Sequence, residues 1–334
     1  MTFKYYYSDC KYIYIPLISL RMNILFTSSG RRVELLKRAK STLINMGENG
    51  NIVAADASKD VPTSKFCDTF ELIPRISSPN FIESLLEKCR SNKIDILIPT
   101  IDTELIPIAE NLHRFKDAGV LVNISNLHVI KICRNKKLSQ KFFEDNGIGA
   151  PKEIPFNASS AEVKYPVFIK PLDGSSSINT FKAGNAKEFD FFKDYVKNPL
   201  IQEMIDGDEF TVDMFCDADS KPITVVPRRR LAVRSGEILK GRTEKDRNII
   251  NASIKVANKL KPFGHITLQC IKNKNKIYFI EINPRFGGGA PMSIDAGANS
   301  IENLIKLKLG QKLEYYETWK ENLTFSRFDD SVII

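Results

Sequence analysis

The sequence predicts an α/β protein that opens with a doubly wound parallel sheet and passes into a second half of α+β character. Two observations carry this. From Met22 to about residue 125, short apolar runs alternate with amphipathic stretches, the pattern of strands buried on both faces and connected by helices. Beyond about residue 150, strand-like runs follow one another with only turn residues between them, the texture of antiparallel sheet.

Each element has its own signal. Ile24-Leu25-Phe26, Ile52-Val53-Ala54, Ile96-Leu97-Ile98 and Val120-Leu121-Val122 are the strands of the first half. Between them Val33 to Met46, a segment near Phe81 to Cys89, and Leu105 to Phe115 carry helical periodicity. A helical link is expected from Leu127 to Asn146, stopped by Gly147 with Pro151 beyond. Strand signals then follow at 167–170, 180–182, 201–203, 210–216 and 223–226, with few helices. A helix from Glu244 to Leu260 precedes a hairpin of Ile266 to Ile271 and Lys276 to Ile282.

The division expected is 1–21 as an extension, disordered or carried over from an upstream start; 22–125 as the α/β domain; 126–200 as linker helices and a small subdomain; 201–312 as a C-terminal subdomain; and 313–334 as a tail. The first 21 residues are rich in tyrosine but lack the cleavage site and uninterrupted apolar core of a signal peptide.

With 334 residues, 43% hydrophobic and 27% charged, the chain can bury a substantial core and carries no low-complexity tract. The net charge of +9 suits solvated surfaces and phosphorylated ligands; most lysines stand singly or beside acids, so neither nucleic acid nor membrane is an expected partner. The six cysteines show neither CxxC nor Cys/His ligand spacing, which argues against a disulfide framework or a zinc site and for a cytoplasmic protein. No apolar run reaches the roughly 18 residues a spanning helix needs.

In a parallel sheet of this kind ligands bind beyond the carboxyl ends of the strands, here Thr27 to Gly30, Asp56 and Pro99 to Asp102. The first of these loops lacks GxGxxG and no GxxxxGK[ST] occurs, which sets aside a dinucleotide fold and a P-loop.

The chemistry concentrates between Gln269 and Gly289. Glu281 and Asn283 stand two apart on one strand and share a face, and Gln269 can join them across the hairpin. One carboxylate and two amide oxygens suit Mg²⁺, with Mn²⁺ an alternative, completed by water and phosphate oxygens. Arg285 follows, fixed by Pro284 and backed by Gly287-Gly288-Gly289, where it could grip a transferring phosphoryl group. Arg228, Arg229 and Arg230, then Arg234, Lys240 and Arg242, gather cations opposite that hairpin; alternation puts Arg228 and Arg230 on one face. Arg234 and Lys240 are candidate catalytic groups beside Arg285, and Arg228 and Arg230 candidates for the substrate.

These motifs resemble the ATP-grasp superfamily, and within it stand-alone proteins similar to one synthetase half of the carbamoyl phosphate synthase large chain. The resemblance rests on NILFTSSGRRVELL, LIPTIDTELIPIA, KPLDGSSSI, IQEMIDGDEFTVDMFCD, VPRRRLAVRSGE and EINPRFGGG, and covers Met22 to about Leu309. It implies a pre-ATP-grasp α/β domain followed by a two-subdomain ATP-grasp fold with ATP between the subdomains. It further implies that Lys136 and Lys170 contact the nucleotide and that Asp173 to Ser177, with Ser175 and Ser176, form a phosphate-covering loop. In the same way Gln202, Glu203, Met204 and Ile205 would form an adenine-reading hinge, and Glu209 would accept from the ribose.

The expectation is an ATP-dependent carboxylate–amine ligase that works through an acyl phosphate, takes small-molecule acid and amine substrates, and has a homodimer as one option. The alternatives are a carbamoyl-phosphate-synthase-like enzyme using bicarbonate and ammonia, and a non-catalytic nucleotide- or nucleic-acid-binding protein. For the substrate, Ser29, Arg31 and Arg32 on the first loop are candidates for a carboxylate, and Asp102 and Glu104 for an amino group.

Overall fold

The computed structural model describes residues 21–172, 178–234 and 236–334. The chain begins with β1 (Ile24–Thr27), α1 (Val33–Met46), β2 (Ile52–Asp56), β3 (Thr69–Leu72), α2 (Phe81–Ser91), β4 (Ile96–Pro99), α3 (Leu105–Glu110), α4 (Leu112–Asp117) and β5 (Leu121–Val122). The strands form a five-stranded sheet of order β3-β2-β1-β4-β5 with every pairing parallel. The order reverses between β1 and β4, so the crevice at their carboxyl ends lies between the loops after Thr27 and after Pro99.

Three sequence expectations change here. The edge strand β3 lacks a continuous apolar run, its residues being half-buried or exposed, and so gave no strand signal. The helix expected over Leu105 to Phe115 is two short helices that break at Asn111. The link expected as one helix is α5 (Leu127–Arg134) and α6 (Lys136–Asp145), because Asn135 is extended and its side chain accepts from the N–H groups of Lys137 and Leu138, capping a new helix.

A small subdomain follows: β6 (Val167–Pro171), β7 (Phe181–Ala183), α7 (Ala186–Tyr195) and β8 (Pro199–Glu203), with strand order β7-β6-β8. The sequence reading missed α7, whose start is Asn185 accepting from the Glu188 N–H and whose buried face is Phe189. The largest sheet comprises β9 (Asp208–Cys216), β10 (Pro222–Arg234) and β11 (Glu237–Thr243). After α8 (Arg247–Leu260) come β12 (Gly264–Asn273) and β13 (Lys276–Asn283), then α9 (Ala290–Asp295), α10 (Ser300–Lys308) and the short β14 (Thr324–Ser326). The order is β13-β12-β9-β10-β11-β14, antiparallel throughout. The helix expected from Glu244 starts at Arg247, because Asp246 caps it by accepting from the Asn248 and Ile249 N–H groups.

Two features tie the parts together. One face of the parallel sheet packs on α2 to α4, while the other packs on α1 and on Ala290, Ile294, Ile301, Leu304 and Ile305 from the far end of the chain. The segment after α10, expected as a tail, also packs in: Trp319 is buried in the core of the large sheet and α8, and β14 pairs with β11.

Candidate functional site

A cavity of about 690 Å³ lies where the parallel domain, the small subdomain and the large sheet meet. Its size is in the range of small-ligand sites. The β12–β13 hairpin forms one wall, with Gln269 paired opposite Glu281 and Thr267 opposite Asn283. Gln269, Glu281 and Asn283 all line the cavity, so the pleat brings the three expected oxygen donors to one face. Among the described residues no three His, Cys, Asp or Glu side chains gather as a metal site. A divalent ion here would rest on one carboxylate and two amides and take its remaining oxygens from water or a phosphate, which suits Mg²⁺.

Lys170 ends the run of β6 against this wall, nearly buried, with Nζ donating to the Ile280 carbonyl at 3.4 Å. Burial pulls its pKa down to about 8 against the nearby Glu281 carboxylate, and Lys136 lowers it further. Lys136 Nζ donates to the Leu172 carbonyl at 3.3 Å. On the facing side β8 runs into Met204 and Ile205. Gln202 is buried, with Nε2 donating to Gln140 Oε1, while Glu203 Oε1 accepts from the Lys152 N–H. Gln202 to Ile205 and Glu209 all line the cavity. Ser175 and Ser176, with the rest of Asp173 to Ser177, lie outside the described residues.

The arginines divide as the alternation of β10 requires. Arg228 and Arg230 face the cavity, whereas Arg229 pairs outside with Asp208. Arg228 is fully buried and pairs with Asp213 at 2.8 Å. Burial alone would raise the Asp213 carboxyl, but Arg228 and His265 hold it well below the usual carboxylate range. Ser293 Oγ also donates to Asp213, at 2.6 Å, so β9, β10 and α9 are bound together beneath the cavity floor. Arg230 lies 3.1 Å from Glu209. Arg285 Nη2 pairs with Asp102 Oδ2 at 2.5 Å, and Arg134 stands 3.8 Å from the other oxygen of that carboxylate.

Several expectations are corrected by position. Arg234 reaches outward to Asp329 and Lys240 is exposed; neither lines the cavity, because the β10–β11 hairpin turns their side chains away from it. Arg31 is exposed, and its neighbour Arg32 points inward instead. Ser29 is fully buried against Thr63. Glu104 is fully buried as well, accepting from Ser28 Oγ and from the N–H groups of Thr100 and Ile101, and burial raises its pKa. It ties the two crevice loops together and does not line the cavity. The reading passed over Arg134 and Glu237, both on the cavity wall. Neither sits in a local pattern; only the folded chain brings them there.

Comparison with known proteins agrees with this architecture. Residues 24–123 match the family of PylC-like N-terminal domains, and residues 133–289 match the ATP-grasp domain. A 3-methyl-D-ornithine–L-lysine ligase of Methanosarcina acetivorans is 22% identical over 275 residues, 81% of this chain and 70% of that protein. A D-alanine–D-alanine ligase of a Marinomonas strain is 35% identical, over 29% of this chain and 33% of its own length. A carbamoyl phosphate synthase large chain from Caldanaerobacter subterraneus is 30% identical over 55% of this chain, which spans only 19% of that protein. Among solved structures, the biotin carboxylase of Campylobacter jejuni, in a β,γ-ATP complex, superposes with a TM-score of 0.70 at 18% identity, covering 90% of this chain and 74% of its own.

Proposed function

We propose that this chain, in which a PylC-like N-terminal domain match precedes an ATP-grasp domain match, is a carboxylate–amine ligase working through an acyl phosphate. The observation that carries this reading is the convergence of Lys136, Lys170, the 202–205 hinge, Glu209, the Gln269–Glu281–Asn283 face and Arg285 on one cavity. The similar 3-methyl-D-ornithine–L-lysine and D-alanine–D-alanine ligases, which by name each join two amino acids, support the same class here.

In this reading the ribose would sit at Glu209 and the adenine against the Gln202 to Ile205 hinge, while Lys136 and Lys170 oppose the phosphates. Gln269, Glu281 and Asn283 would hold Mg²⁺, or Mn²⁺ in its place, which would supply positive charge against the phosphates. A substrate carboxylate oxygen attacks the γ-phosphorus in line, and the bond from that phosphorus to the β-phosphate oxygen breaks to release ADP. Arg285 stabilises the charge on the moving group through its fixed donor fork. The amine nitrogen then adds to the acyl carbon, loses a proton, and expels phosphate.

The test is product identity. Substrate-dependent turnover should yield ADP and phosphate, and hydroxylamine should divert the acyl phosphate to a hydroxamate; AMP and pyrophosphate would refute the mechanism. ADP formation with bicarbonate and ammonia alone would favour the carbamoyl-phosphate alternative.

A further inference from the structure

The part of the cavity around Asp102 and Glu237 is built from three separate parts of the chain. Arg32, entering α1 from the parallel domain, has a side chain only 21% exposed that makes no hydrogen bond among the described residues. Its nearest opposite charge is Glu237 Oε1 at 3.8 Å, beyond hydrogen-bonding distance. Arg285 lies beside it, with Nε buried and without a hydrogen-bond partner. Burial and then repulsion from Arg285 pull the Arg32 pKa down, as expected of cations crowded in a poorly solvated place. Among the described residues, the guanidinium groups of Arg32, Arg134, Arg285 and Arg327 gather around the carboxylates of Asp102 and Glu237, with Asp329 also acting on Arg327.

Glu237 is held from the other side by the end of the chain. Arg327, directly after β14, donates through Nη1 to Glu237 Oε2 at 2.7 Å and to the Ile238 carbonyl at 3.2 Å. Because Oε2 is taken, Oε1 is left facing Arg32. Gly288 forms the shelf beside the two groups: a Cβ there would lie 2.9 Å from Arg32 Nη1 and 3.0 Å from Glu237 Oε2. The Arg32 guanidinium and Glu237 Oε1 thus face each other as a loose ion pair, 3.8 Å apart, neither held by a hydrogen bond among the described residues. That pair complements a ligand in which a carboxylate adjoins an ammonium group.

We propose that Arg32 and Glu237 form the specificity subsite for an α-amino acid substrate, Arg32 taking its carboxylate and Glu237 its ammonium group. Arg327 on the C-terminal segment is a positioning residue that fixes Glu237. The inference rests on the ligase reading above, since it assigns the small-molecule end of the same cavity. It gives the terminal strand β14 a part in substrate choice, through its ladder with β11.

The test uses the full chain with Mg²⁺ and ATP and measures phosphate release. The panel is the common amino acids, each set against its carboxamide and against the acid lacking the amino group. The wild type should accept at least one amino acid and reject its carboxamide. Arg32→Gln should raise the KM for that amino acid about 100-fold while the KM for ATP stays within about twofold. Glu237→Gln should remove the preference over the acid lacking the amino group. Arg327→Ala should raise the same KM by a smaller factor, partly recovered in Arg327→Lys, with circular dichroism confirming that each variant is folded. Binding is read separately, as the upward shift in melting temperature given by the amino acid with a non-hydrolysable ATP analogue, which Arg32→Gln should abolish. An unchanged amino-acid KM in Arg32→Gln overturns the inference. Phosphate release with simple acids but no amino acid also overturns it and leaves the ligase reading standing, whereas no release with any acid overturns both.

Discussion

The Lys170 ammonium offers a quantitative handle on where the nucleotide phosphates sit. Burial brings its pKa from 10.5 to about 8, with Glu281 opposing and Lys136 reinforcing the change. Without ligand, the folded protein therefore binds fewer protons than the unfolded chain between pH 8 and 10.5. The charged lysine costs the folded state about 3 kcal/mol below pH 8, and that cost is relieved as the pH rises from about 8 to 10.5. A polyphosphate against Nζ should return the group to its ordinary pKa, so binding above pH 8 requires proton uptake. With a non-hydrolysable ATP analogue and Mg²⁺, linkage gives an affinity about eightfold weaker at pH 9 than at pH 7.5. Calorimetry in two buffers of different ionisation enthalpy should find uptake approaching about 0.9 proton at pH 9. The variant Lys170→Met should bind more weakly at pH 7.5 and lose the pH dependence. Affinity that stays flat from pH 7.5 to 9, with no proton uptake, would show that the phosphates do not face Lys170.

Other perturbations separate catalysis from stability. Glu281→Ala should abolish phosphate release and its Mg²⁺ dependence while leaving the circular dichroism spectrum unchanged; wild-type turnover would refute the metal assignment. Arg285→Ala should lower turnover by about 10² to 10³ with little change in nucleotide affinity, read from initial rates and analogue binding. Asp213→Asn leaves the Arg228 guanidinium buried without its counter-charge and should cost about 3–5 kcal/mol of stability in urea unfolding. Trp319→Ala should cost a similar amount, about 3–5 kcal/mol, by opening a cavity in the main core, with the transition followed by circular dichroism.

How much of this was legible beforehand depended on whether the signal was local. The strand alternation that puts Gln269, Glu281 and Asn283 on one face, and Arg228 and Arg230 on another, is a property of period two, and the structure keeps it. The boundaries of α1 were readable for the same reason, since its apolar period is unbroken up to Gly47. The two helices in place of one, and α7, each turned on one asparagine, Asn135 and Asn185, whose side chain caps the helix that follows. Arg31 and Arg32 could not be told apart, because a loop leaving a strand has no fixed period to say which side chain turns inward. Glu104 looked like a ligand-binding acid; it bonds its own loop at Thr100 and Ile101, and its bond from Ser28 exists only once β1 and β4 are adjacent. Glu237 and Arg327 lie 90 residues apart, and no local pattern announces their meeting.

The covering of the parallel sheet sets an order on how this protein can form as it is made. The strands of the first domain are complete once residue 122 has been synthesised, but one of its faces is closed partly by Ile294, Ile301, Leu304 and Ile305. Until those residues emerge, a nascent chain carries an uncovered apolar sheet face, the kind of surface that recruits chaperones or aggregates. Fragments ending near residue 125 should then be far less soluble than the whole chain, and a ribosome stalled midway would display that face for the time needed to translate some 180 further residues.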